Sequence, residues 1–213
     1  MSYIPPRVRI LAFDPAAGDM GWAVIDVDTD TMIKTVFRYG TLRGPQLIRD
    51  RKDKIQAFGK NYTILSVYRV VIAEMIREHR PNYVVYESAF AHKFIQAYAS
   101  LVLVIHSIRQ ACDDAFGRDA GAIAPMETKK AVAKNHMAGK SEMRAGVMSH
   151  PTIVIKPTKT NDLTTANEHE IDAIAHGCAF VDLRLPTLLM SGPIPEPPEK
   201  IKVGSIEEIG TIS

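Results

Sequence analysis

The chain has 213 residues, 46% hydrophobic and 23% charged, with a net charge of +2, which suits one large domain, or one domain plus a tail. No apolar run nears the ~20 residues of a membrane span, and the first seven residues are too short and polar for a secretory signal. Two cysteines without CxxC spacing, Cys112 and Cys178, read as reduced core thiols of a cytoplasmic protein.

An apolar strand over residues 8–13 stops at Asp14, followed by Pro15 and a small-residue turn. A second strand covers residues 22–27, and Asp19 and Gly21 in the connection suit a tight hairpin-like turn. Residues 32–39 make a third strand closed by Gly40, so the first three form an antiparallel meander. Residues 46–79 carry apolar side chains at helical intervals, with a break around residues 61–63 and a stop at Pro81. A β-branched and aromatic run over residues 83–86 is a buried fourth strand, and it ends at Glu87. A helix over residues 92–116 is apolar nearly all round, as in a core or a dimer interface. Residues 120–124 make a brief fifth strand, Pro125 opens a basic helix, and residues 140–148 form another short one. Residues 151–167 read as irregular, and residues 168–183 as an amphipathic helix. The expectation is an α/β domain over residues 1–185, with a mixed five-stranded sheet, three antiparallel then two parallel strands, flanked by helices. Residues 186–213 read as an extended tail rich in proline and glycine.

The charge is unevenly spread. Residues 34–60 hold eight Lys/Arg against two acids, and residues 125–160 hold seven against two. From residue 161 onward there are nine acids against three bases. Two basic blocks on a near-neutral chain point to a polyanion-binding face, although either block alone fits a solvated helix surface.

Asp14 and Glu87 each end an apolar strand. If the first and fourth strands are parallel neighbours, both carboxylates emerge at one sheet edge and repel, so they need a counter-charge. The stretch NEHEIDAIAHG adds Glu168, His169, Glu170 and Asp172 at the start of the last long helix. His169 and Asp172 are three apart and share a face, with Ile171, Ile174 and Ala175 on the core side. Oxygen ligands with one imidazole suit Mg²⁺ or Mn²⁺ better than zinc. Taken singly, each residue has a plainer use: Asp-Pro opens turns, and acids favour a helix start.

Four segments carry a family resemblance in the right order: ILAFDPAAGDMGWAVID, PNYVVYESAFAHKF, APMETKKAVAKNHMAGKSEM and HEIDAIAHG. They resemble the RuvC-type Holliday junction resolvases of the RNase H-like superfamily, over about residues 9–183. The resemblance implies an RNase H-like fold and a structure-selective endonuclease that hydrolyses phosphodiesters at four-way DNA junctions. It implies two Mg²⁺ per site, with Mn²⁺ as a substitute, held by Asp14, Glu87, His169 and Asp172. His169 is then a ligand or a proton shuttle. Lys129 matches a helix-borne lysine near the scissile phosphate, and Lys140 a lysine in the following helix. Phe90 matches an aromatic that stacks at the junction centre, and Lys93 a backbone-contacting lysine. Lys130, beside Lys129, joins the nucleic-acid-binding set. The two-fold symmetry of a junction implies a homodimer, with part of residues 101–108 as interface.

The first turn, the long basic stretch after the third strand, residues 151–167 and the tail all depart from the family pattern. In this they resemble a divergent viral or phage branch, which would work in the host cytoplasm. Rival expectations are a broader RNase H-like nuclease on flaps, forks or RNA–DNA hybrids, and a non-catalytic branched-DNA binding protein. An actin-like ATP-binding fold also opens with a strand, an Asp and a glycine turn, but it needs a second glycine loop and a longer chain.

Overall fold

The computed structural model describes residues 5–90, 95–156 and 162–198. Three antiparallel strands lead: β1 (Arg7–Asp14), β2 (Asp19–Asp28) and β3 (Lys34–Arg43). Three helices follow, α1 (Gly44–Leu47), α2 (Lys52–Phe58) and α3 (Lys60–His79). Next come β4 (Tyr83–Glu87), α4 (Ile95–Phe116) and β5 (Gly121–Ile123). The chain then runs through α5 (Pro125–Ala133), α6 (Lys140–Ser149), β6 (Ile153–Ile155), α7 (Glu168–Leu183) and α8 (Leu185–Ser191). The sheet order is β5-β4-β1-β2-β3-β6, with β4 parallel to β1, β5 parallel to β4 and β6 parallel to β3.

The central strand explains its own composition. Alternate residues of β1 face opposite sides of the sheet. Val8, Ile10 and Ala12 pack in one core with α7, while Leu11 and Phe13 pack in the other with α3 and α4. The run from Ile10 to Phe13, covered on both faces, has no place for a charge, so charge flanks it: Arg9, paired with Asp26 of β2 at 2.6 Å, on one side, and the carboxylate of Asp14 on the other.

Helix α7 lies on the first of these faces, with every residue from Ala173 to Val181 buried. Its small side chains let it sit close to the sheet. A Cβ on Gly177 would stand 2.6 Å from Ile25 Cδ1 and 3.0 Å from Ala12 Cβ. Cys112 and Cys178 are both free and buried, and burial pushes each thiol up to about 12.

The structure corrects several boundaries. The sheet has six strands, because residues 151–167 contain β6, which pairs with β3 over Lys34–Val36. Its three residues are too few for a periodic signal. The strand is tied down by the buried Lys34, whose Nζ donates to Thr152 Oγ1 and to Asp182 Oδ1, both at 2.6 Å. β3 continues past Gly40 to Arg43, paired throughout with β2. The helical stretch breaks twice, at residues 48–51 between α1 and α2 and at Gly59, whose φ of +83° favours glycine, rather than at residues 61–63. α4 is described from Ile95; its expected first residues lie outside the described residues.

The chain also does not become an extended tail at Pro186. Pro186 lies in the first turn of α8, where a proline's missing N–H costs nothing. Leu185 is fully buried and Ile194 nearly so. The carbonyls of Pro195 and Pro198 accept hydrogen bonds from Asn82 and Arg80. The rest of the expected tail, residues 199–213, lies outside the described residues. Among the described residues, no single helix is long and apolar enough to cross a membrane.

Candidate active site

The sheet gathers the C-terminal ends of several strands at one edge. β1, β4 and β5 are parallel neighbours, so Asp14, Glu87 and Ile123 finish on the same side. β3 also ends there and leads into the basic α1–α2 segment, and α5 starts just beyond β5. α7 brings its first turn to this edge from across β2. Gly21, the partner of Asp14 in the β1–β2 ladder, allows the approach, since a Cβ there would lie 1.9 Å from the carbonyl oxygen of His169.

The start of α7 is set by its own sequence. Asn167 Oδ1 accepts from the Glu170 backbone N–H at 3.1 Å, and Glu170 Oε2 accepts from the Asn167 N–H at 2.9 Å. This reciprocal cap takes Glu170 out of the acidic group. Thr41 of β3 also donates to Glu170, at 3.0 Å, and so ties the cap to the sheet. Glu168 points away to pair with Lys140 at the start of α6.

What remains is Asp14, Glu87, His169, Asp172 and one residue that the sequence reading leaves out, His176. His169 Nδ1 donates to Asp14 Oδ2 at 2.7 Å. His176 Nε2 lies 3.9 Å from Asp14 Oδ1 and 3.6 Å from Glu87 Oε1, and its Nδ1 is 3.0 Å from Thr128 Oγ1 on α5. Asp14, Glu87 and His176 bring one ligand atom each within 4.8 Å of one another, a spacing that could hold a metal ion. The signal for His176 is present in the sequence: it follows Asp172 by four residues and His169 by seven, on the same helix face.

The electrostatics match this crowding. Burial disfavours the Asp14 carboxylate, but the hydrogen bond from His169 and the nearby His176 outweigh it and lower its pKa. Burial raises Glu87, with Asp14 and Asp172 adding to the shift and His176 and Lys129 opposing it. Burial and then Asp14 raise Asp172. The hydrogen bond to Asp14 raises His169. Burial opposes the His176 imidazolium, yet the surrounding carboxylates outweigh it and raise its pKa. Three acids and two histidines thus crowd one sheet edge, where burial and mutual repulsion raise two of the three carboxyls.

The other expected residues surround this group. Lys129 is half-buried on the second turn of α5, and Lys130 beside it is exposed. Lys140 is exposed and paired with Glu168. A cleft next to Asp172 is lined by Lys140, Ser141, Arg144, Glu168 and Ile171. Phe90, three residues past Glu87, is 60% exposed. Lys93 lies outside the described residues.

No family model matches the chain. The crossover junction endodeoxyribonuclease RuvC of Halorhodospira halophila is 27% identical over 158 residues, 74% of this chain and 84% of the relative. The T. thermophilus RuvC in complex with Holliday junction substrate superposes with a TM-score of 0.64 at 18% identity, covering 84% of this chain and 97% of that one. The yeast mitochondrial Holliday junction resolvase superposes with a TM-score of 0.57 at 10% identity, over 89% and 83% of the two chains. At these identities the two superpositions speak for the fold. In sequence the chain is similar to RuvC, and its fold is that of the RuvC, RNase H-like type.

Proposed function

We propose that this chain is a structure-selective, divalent-metal-dependent DNA endonuclease that resolves four-way junctions. One observation carries the reading: Asp14 and Glu87, at the ends of adjacent parallel strands, meet the His169–Asp172–His176 face of α7 at a single sheet edge. The donor set fits a divalent cation. His176 Nε2 is buried without a hydrogen-bond partner, and burial and then the neighbouring Asp14 hold the Glu87 and Asp172 carboxyls above their usual range. Oxygen donors with imidazole favour Mg²⁺, with Mn²⁺ as a substitute.

Asp14, Glu87, His169 and Asp172 would hold two such ions. When bound, these activate water for in-line attack and stabilise the leaving oxygen of the phosphodiester. His169 keeps a proton at Nδ1 against Asp14, which fixes the orientation of that carboxylate. Lys129, whose charge partly opposes the rise in the Glu87 pKa, offsets charge that builds on the phosphate. Lys130 and Lys140 on α5 and α6 grip the DNA backbone, and Phe90 stacks on exposed bases.

The protein acts on branched DNA as a homodimer, whose two-fold axis matches that of the junction. α4 supports this. It buries Val104, Ile105 and Ile108 against α3 and the sheet but exposes Ile95, Val102 and Leu103. Two buried free thiols suit a reducing, cytoplasmic setting.

The test is a cleavage panel of synthetic four-way junction, flap, Y-fork, duplex and RNA–DNA hybrid, in Mg²⁺ and in EDTA. Paired symmetric nicks on the junction alone are expected. Equal cleavage of flaps and forks would make the protein a general debranching nuclease. Tight binding without cleavage in any metal would move it to the binding class.

A further inference from the structure

We infer that His176 is a further ligand of the active-site cation, with Thr128 holding its ring for that role; this rests on the metal-dependent reading above. His176 is 3% exposed, and its neighbours on α7 from Ala173 to Ala179 are small or apolar and buried. An apolar residue would fill the same space without cost. Instead the site keeps an imidazole whose Nε2 has no hydrogen-bond partner, an arrangement that native cores avoid unless the atom has another use.

The ring is aimed. Its Nδ1 is 3.0 Å from the hydroxyl of Thr128, which is itself 1% exposed. With the proton on Nδ1 and the hydroxyl accepting it, the Nε2 lone pair points at Asp14 and Glu87. This is the usual support of a metal-ligating histidine.

The distances separate two roles. At 3.9 and 3.6 Å, Nε2 is too far from Asp14 Oδ1 and Glu87 Oε1 for a hydrogen bond. Ligands of one octahedral ion with bonds of ~2.1 Å stand about 3.0 Å apart when adjacent and about 4.2 Å apart when opposite. The observed separations lie between those two values, and the three ligand atoms stand within 4.8 Å of one another, close enough for one ion to draw them to bonding distance. His169, by contrast, is 42% exposed at the side chain and commits its Nδ1 to Asp14. The inner nitrogen of the site is therefore that of His176.

Two consequences follow. A nitrogen donor shifts preference from Mg²⁺ toward Mn²⁺. Thr128 also precedes Lys129 on α5, so one contact both orients the ligand and anchors the helix that carries the lysine.

The test uses the full chain loaded with Mn²⁺ and pulsed electron paramagnetic resonance for ¹⁴N coupling. His169→Asp removes the other imidazole of the site. Coupling is expected in the parent and in His169→Asp, and its loss in the His169→Asp/His176→Leu double variant. Mn²⁺ titration should show Kd weakened by about 10-fold or more in His176→Leu, and by about 10-fold in Thr128→Val, which removes only the hydroxyl that holds the ring. Mg²⁺ affinity should change less. A His169→Asp protein that binds Mn²⁺ without ¹⁴N coupling would overturn the inference and leave the nuclease reading intact. So would unchanged Mn²⁺ affinity in Thr128→Val and in a folded His176→Leu. A parent protein that binds no Mn²⁺, or binds it equally after Asp14→Asn, would overturn both.

Discussion

Gly21 is the residue on which the approach of α7 depends, and Gly21→Ala is the perturbation that tests it. An added Cβ would stand 1.9 Å from the carbonyl oxygen of His169 and 2.4 Å from its carbonyl carbon. A carbon–oxygen contact needs ~3.3 Å, so the first turn of α7 must retreat by about 1.4 Å. That retreat pulls His169 out of its 2.7 Å hydrogen bond with Asp14 and carries Asp172 with it. A shift of ~1 Å in a positioned catalytic group can cost about 10²-fold in rate. Single-turnover junction cleavage in Mg²⁺ should therefore fall about 100-fold. Overpacking at one site costs about 1–3 kcal/mol, so the variant remains folded with a lowered melting temperature. Junction affinity, measured in the absence of divalent metal, should stay within about threefold, because the basic surfaces of α5 and α6 are not displaced. A Gly21→Ala protein that cleaves at nearly the parent rate would refute the reasoning, since catalysis would then not depend on α7 lying against β2.

Three other perturbations probe separate parts of the account. Lys129→Ala should slow single-turnover cleavage by at least about 10-fold while changing junction affinity little; equal losses in both would reduce Lys129 to a phosphate grip. Lys140→Ala should leave the melting temperature unchanged, because its pair with Glu168 is exposed. It should weaken junction binding and reduce the salt slope by about one, and an unchanged slope would remove Lys140 from the DNA interface. His79 tests the pH dependence of the fold. Burial lowers its pKa from 6.5, with Arg38 and Arg9 adding and Glu78 opposing. The unfolded ring therefore takes up a proton before the folded one does. Stability from this group is full above pH 6.5 and is lost as pH falls through the lower folded value. His79→Phe, which keeps a ring against Trp22, should flatten the fall in melting temperature between about pH 6.5 and 5; an unchanged slope would contradict the assignment.

The sequence makes the strands of the central sheet legible because burial on both faces leaves nearly continuous apolar runs. Asp14 and Glu87 stand out for the same reason, as the first charges after those runs. The Asn167–Glu170 cap makes the start of α7 readable to the residue. Other features carry weaker signals. β6 has three residues and is held by Lys34, which is distant in sequence, so no local pattern marks it. Pro186 signals a stop but serves as a helix start, a choice settled by the burial of Leu185. His176 lies in a stretch that reads as core, and its partners Thr128, Asp14 and Glu87 come from three other elements. Only the spacing from His169 and Asp172 hints at it, and that spacing gains meaning once the helix face is known to meet the strand ends.

The carboxylates at this sheet edge are proposed above to make a metal-dependent nuclease. The most direct measurement compares parent and Asp14→Asn protein on one synthetic four-way junction, recording binding and cleavage across a Mg²⁺ titration. Metal-dependent cleavage by the parent, no detectable cleavage by Asp14→Asn, and equal junction binding by both are expected. Cleavage by Asp14→Asn in a preparation free of other nucleases, or cleavage by the parent in EDTA, would contradict that proposal.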